Sequence, residues 1–96
     1  MAAGMRFTRE SAVEAAKNDL ARRLRTDAGQ IEEQDIETRE FPDMSLGAPT
    51  AGEMSAQMIA SGWVIKLGAD GKTYEYRGDK YQLRLHNFEG ENYVIR

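Results

Sequence analysis

The chain has 96 residues, enough for one domain with a thin single core. It carries no cysteine, which excludes disulfides and thiolate metal sites. A formal charge of −3 and a pI near 5.1 argue against nucleic acid and anionic membranes, whose affinity for proteins rests on clustered Lys and Arg.

Residues 1–10 are expected to form an N-terminal tail ahead of one α+β domain at 11–96. The opening Met-Ala-Ala-Gly-Met-Arg has no charged segment leading into an apolar run. No signal peptide and no membrane span are therefore expected, and the default location is cytoplasmic. Residues 11–28 read as an amphipathic helix. Val13, Ala16, Leu20 and Leu24 share one stripe, with Ala21 beside it and Lys17 at its edge. Ser11 and Glu14 have capping-box spacing, Thr8 is a rival N-cap with Phe7 as a staple, and Gly29 is a plausible stop. Asp19 and Arg23 stand in the i,i+4 order of an ion pair.

The acidic stretch 30–41, with Ile31, Ile36 and Phe41, reads as a partly exposed strand whose charge discourages edge-to-edge pairing. The strongest local signal lies at 63–78. Asp70-Gly71 between two alternating runs marks a two-residue hairpin turn, which fixes the register. Leu67 then opposes Tyr74 and Ile65 opposes Tyr76 on an apolar face, while Lys66 opposes Glu75 on the other. After a turn at Gly78-Asp79-Lys80, Tyr81, Leu83 and Leu85 alternate with Gln82, Arg84 and His86. A Glu-Gly-Glu turn leads to a short last strand at 93–95. The fold class expected is α+β, one N-terminal helix packed on a mainly antiparallel sheet of about four strands.

About twenty residues, 42–61, separate the first strand from the hairpin, longer than most connections in compact domains. Met44, Leu46, Met54, Met58 and Ile59 distinguish this segment from a disordered linker, and Pro42, Gly47, Pro49 and Gly52 give it fixed bends. Residues 55–59 read as a short strand or one helical turn. The plain expectation is an ordered Ω-like loop over one end of the core. The functional one is a recognition loop whose methionines adapt to a partner.

Residues able to do chemistry are sparse. His86, the single histidine, lies on the polar phase of its strand. Asp43, Ser45 and His86 have the residue types of a catalytic triad, but no nucleophile elbow or oxyanion glycines accompany them; Asp43 and Ser45 read instead as turn caps. Glu32, Glu33, Asp35, Glu37 and Glu40 lack the ligand order of a calcium loop and read as a solvated strand face. Arg22, Arg23 and Arg25 suit the negative end of the helix dipole. Trp63 opens a core strand.

Four segments, Asp-Leu-Ala-Arg-Arg-Leu (19–24), Phe-Pro-Asp-Met-Ser-Leu-Gly (41–47), Gly-Trp-Val-Ile-Lys-Leu (62–67) and Lys-Thr-Tyr-Glu-Tyr-Arg (72–77), resemble a family of small uncharacterised bacterial proteins, cyanobacterial ones included. Many members of that family carry a cysteine where this chain has Ala48, and many are exported. The resemblance implies no activity. The helix–strand–hairpin order is also similar in topology to PepSY-type domains, which have been linked to peptidase inhibition.

The expectation that follows is a monomeric, non-enzymatic protein-interaction module without metal or cofactor. Its binding residues are Pro42, Asp43, Met44, Ser45, Leu46, Gly47, Pro49 and Met54, with peptidase inhibition as one version. The alternative is a small-ligand binder or enzyme with a pocket between the loop and Trp63.

Overall fold

Helix α1 spans Arg9–Leu24 in the computed structural model, which describes residues 6–95. It starts two residues earlier than the periodicity suggested because Thr8, not Ser11, is the N-cap. The Thr8 hydroxyl accepts from the Ser11 amide at 3.1 Å, and the Ser11 hydroxyl accepts from the Thr8 amide at 2.8 Å. Ser11 thus stands where a capping box usually carries Glu or Gln. The helix also ends earlier than expected. Arg25 adopts the left-handed conformation (φ 58°) and terminates it, and Gly29 falls in a separate short 3-10 turn, Ala28–Gln30.

The sheet has five antiparallel strands, one more than expected: β1 Glu32–Phe41, β2 Ala60–Ala69, β3 Lys72–Asp79, β4 Leu83–Phe88 and β5 Glu91–Val94. They lie in sequence order, a meander in which every neighbour is antiparallel. The β2–β3 hairpin has the register that its turn implies: Leu67 faces Tyr74, Ile65 faces Tyr76 and Lys66 faces Glu75. Asp70 and Gly71 both have positive φ (52° and 76°), the backbone of a type I′ turn. Tyr81 lies in the β3–β4 connection, not in a strand, and is exposed. β2 begins at Ala60, so residues 55–59 are neither the short strand nor the helical turn considered above.

The main core lies between α1 and one sheet face. Ala12, Val13, Ala16, Leu20 and Ala21 pack on Ile65, Leu67, Tyr76, Leu83 and Leu85. Small helix residues let the backbone come close to the sheet. The Asp19–Arg23 pair is more than a surface ion pair. Asp19 is buried and accepts from Arg23 Nε (2.7 Å), Arg22 Nη2 (3.0 Å) and the Tyr76 hydroxyl (2.7 Å). Burial and the Asp19 carboxylate push the Tyr76 hydroxyl far above its usual pKa, so it stays a donor. Lys17 reaches from the stripe's edge to Glu33 at 2.8 Å.

The pleat places Phe41, Ala60, Val64, Arg77 and Arg84 on the opposite face. That face is not left to solvent. Phe41, Leu46, Ala60 and Val64 form a second buried cluster with Met44 against it. Leu46 comes from the long loop, which makes a third layer over part of the sheet.

Candidate functional site

The loop between β1 and β2 is built from local turns. Asp43 Oδ1 accepts from the Ser45 amide (2.9 Å) and the Ser45 hydroxyl (2.5 Å), an Asx-type turn that caps the bend after Pro42. These two bonds hold the Asp43 carboxyl below its ordinary pKa. The Leu46 amide donates to Asp43 O and the Ala48 amide to Ser45 O. Leu46 and Gly47 are both left-handed (φ 57° and 72°), and this turns the Leu46 side chain down onto Val64 and Phe41. Gly47 is required twice over. Its φ favours glycine, and a Cβ there would sit 2.3 Å from Arg77 Nη1.

Side chains from the sheet then take the loop's carbonyls one after another. Gln82 Nε2 donates to Met44 O at 2.6 Å. Arg77 Nη1 donates to Leu46 O and Gly47 O at 3.2 and 2.9 Å. Arg84 Nη1 donates to Ala48 O at 3.1 Å, and Asn92 Nδ2 to Pro49 O at 2.8 Å. Five of the six carbonyls from Met44 to Pro49 are thus satisfied by side chains of β3, the β3–β4 connection, β4 and β5, which accounts for the conformation of this segment.

Arg84 is the centre of this arrangement. It is buried, and it closes a two-pronged bond to Glu53 through Nη1 (2.6 Å) and Nη2 (2.5 Å), with Gln82 Oε1 accepting from its Nε at 2.7 Å. Arg84, together with the Thr50 amide and hydroxyl, holds the Glu53 carboxyl down at about 2. Alternation places Gln82 and Arg84 on the polar phase of their strand and says no more of them. The signal available was Val64, an apolar residue in phase with Lys66 and therefore on that same polar face.

Past Glu53 the chain turns outward. Met54 is 97% exposed, Met58 63% and Ile59 70%. Residues 53–59 have no regular secondary structure, but the stretch is tethered. Glu53 is held by Arg84, and Ala56 O accepts from the Met44 amide at 3.0 Å. Met54 therefore projects between two fixed points. Met58 and Ile59 instead border a cleft of about 270 Å³ with Met44 and the exposed Tyr81.

The eight residues expected to bind are divided by this geometry. Ser45 and Leu46 are buried, and Asp43 and Met44 are half-buried. Pro42, Gly47, Pro49 and Met54 are exposed. Ser45 donates its hydroxyl to Asp43, and His86 lies beside Glu75 with Nδ1 3.9 Å from the carboxylate. Partial burial and the Arg77 guanidinium lower the His86 pKa from its ordinary value, against the opposing pull of Glu75. Trp63 belongs to the helix-side core, across the sheet from the loop. Among the described residues no group of three or more His, Asp or Glu is placed to hold a metal ion. No helix among them is long and apolar enough to cross a membrane.

A five-stranded antiparallel meander carrying a helix on one face and an ordered loop on the other defines an α+β domain of the helix-on-sheet class. Residues 13–86 match the domain of unknown function DUF8738, and the chain belongs to that family. The match runs from the first turns of α1 through most of β4 and includes the whole loop. No curated protein and no solved structure matches the chain.

Proposed function

We propose that this protein is a non-enzymatic interaction module whose loop presents Met54 to a protein partner. The observation that carries this reading is a fully exposed apolar side chain between two anchored positions, Glu53 and Ala56. A backbone already held at both sides loses little conformational entropy on binding, and an unbranched thioether fits apolar pockets of varied shape. The buried half of the loop, with Ser45 and Leu46, acts as the mount, while Met54 and the rim at Pro49 make contact. In the peptidase-inhibitor version, which starts from the resemblance in element order to PepSY-type domains, Met54 enters the specificity pocket of a protease that accepts long apolar side chains.

The rival, a ligand pocket shared by the loop and Trp63, is less favoured because the two lie on opposite sheet faces. The test compares the wild type with Met54→Asp against a panel of purified serine and cysteine proteases, and in crosslinking from the neighbouring position 55. Loss of inhibition or crosslinks in Met54→Asp, with an unchanged unfolding midpoint, is expected. Identical partners for both proteins would remove the loop from consideration.

A further inference from the structure

Strand β1 is the outer edge of the sheet and is ten residues long, against four for β5 at the other edge. Helix α1 packs over β2, β3 and β4, and the burial pattern of β1 shows what that leaves uncovered. Eight of its ten residues are exposed, Ile36 is half-buried and only Phe41 is buried. Its bulge lies between Glu33 and Asp35, where the Gln34 side chain accepts from Thr73 Oγ1 at 2.7 Å. From Asp35 to Phe41 the ladder is regular, so the outward backbone groups of this run form a straight docking edge about 20–25 Å long.

Open edges attract other strands, and the charge on this one decides which. β1 carries Glu32, Glu33, Asp35, Glu37 and Glu40 against Arg39 alone. Glu33 is paired with Lys17 and Glu37 with Arg39; Glu32, Asp35 and Glu40 have no ion pair among the described residues. The register puts Glu32, Asp35, Glu37 and Arg39 on one face, with Gly68, Lys66, Val64 and Gly62 as their partners, so this row carries a net charge of −2. A second copy pairing along β1 would bring together two strands of net charge −4 each, which is repulsive.

We propose that the β1 edge accepts an extended segment of a different chain, with Lys or Arg at every second position, as a sixth strand. Backbone bonds to residues 35–41 supply the affinity. Basic side chains opposite Asp35 and Glu37, on a strand of net charge −4, supply the selectivity. This edge is separate from the loop, and its fate does not depend on Met54.

The probe is a synthetic ten-residue peptide alternating Lys and Val, titrated into the full chain at 0.15 M salt and followed by amide NMR. The control peptide has the same charge but Pro in place of every Val, which removes the donors of one edge and, by holding φ at about −65°, disfavours extended pairing of the other. The expected result is slowed exchange at outward-facing amides of residues 35–41 and at least tenfold weaker binding of the Pro control. In Asp35→Lys/Glu37→Lys, both at exposed positions, binding of the Lys-Val peptide falls at least tenfold and a Glu-Val peptide gains it. Equal binding of both peptides without new amide protection would mean charge attraction alone and would overturn the proposal. So would absence of binding, or protection confined to β5 or the loop.

Discussion

Replacing Arg84 by Met tests whether the loop is held by the sheet. The substitution keeps most of the buried stem volume but removes the donors to Ala48 O and Glu53. Breaking a buried pair by deleting one partner costs about 3–5 kcal/mol, most of it from the charge left behind. Here the orphaned charge is Glu53, whose side chain is 22% exposed and regains water once released. That lowers the expected cost to about 2–3 kcal/mol. For a domain of this size the melting temperature falls by about 10–20 °C. Urea unfolding followed by Trp63 fluorescence measures the change. Pairing the variant with Glu53→Gln in a double-mutant cycle isolates the ion pair, with a coupling of about 1–2 kcal/mol expected. An Arg84→Met cost below about 0.5 kcal/mol, with no coupling to Glu53, would refute the clamp, since surface substitutions fall in that range.

Acid should loosen the loop before it unfolds the sheet. The folded pKa of Glu53, about 2, lies below its ordinary 4.5, so its contribution is complete above about pH 4.5 and is lost as pH falls toward 2. Asp43, also lowered, acts in the same direction, and Glu53→Gln should flatten the profile in a pH titration of stability. Leu46→Ala removes a fully buried side chain and should cost about 2–4 kcal/mol. Leu46→Gly should lose about 1 kcal/mol less than cavity size alone implies, because glycine relieves the left-handed strain; equilibrium denaturation of both variants checks the difference. Tyr76→Phe leaves Asp19 without its tyrosine donor and should cost about 1–3 kcal/mol, measured by the same denaturation. Met54→Asp should leave stability within about 0.5 kcal/mol while it abolishes partner binding.

The hairpin was legible because its information is local. Asp70-Gly71 sets the turn, the turn sets the register, and alternation then agrees at every pair. The helix body was legible from its stripe, but its ends were decided by single backbone choices. Thr8 and Ser11 form the reciprocal cap, and Arg25 takes a left-handed conformation that sequence assigns more readily to glycine. The loop was flagged by its length and apolar residues, yet not its architecture. Alternation says that Arg84 lies opposite Leu83 and Leu85, but not whether another layer covers that face. The burial of Leu46 and Ser45 follows from the same missing layer, which depends on contacts some thirty residues apart in sequence.

One ordered loop, docked from Met44 to Glu53, projects Met54 outward. Residue-resolved hydrogen exchange tests it most directly. The amides of Leu46, Ala48 and Glu53, which donate to Asp43 O, Ser45 O and Thr50 O, should exchange slowly, while those of Met54, Ser55 and Gln57, unbonded among the described residues, should exchange fast. Uniformly fast exchange across residues 42–59 would contradict the docked loop and the presentation of Met54 that rests on it.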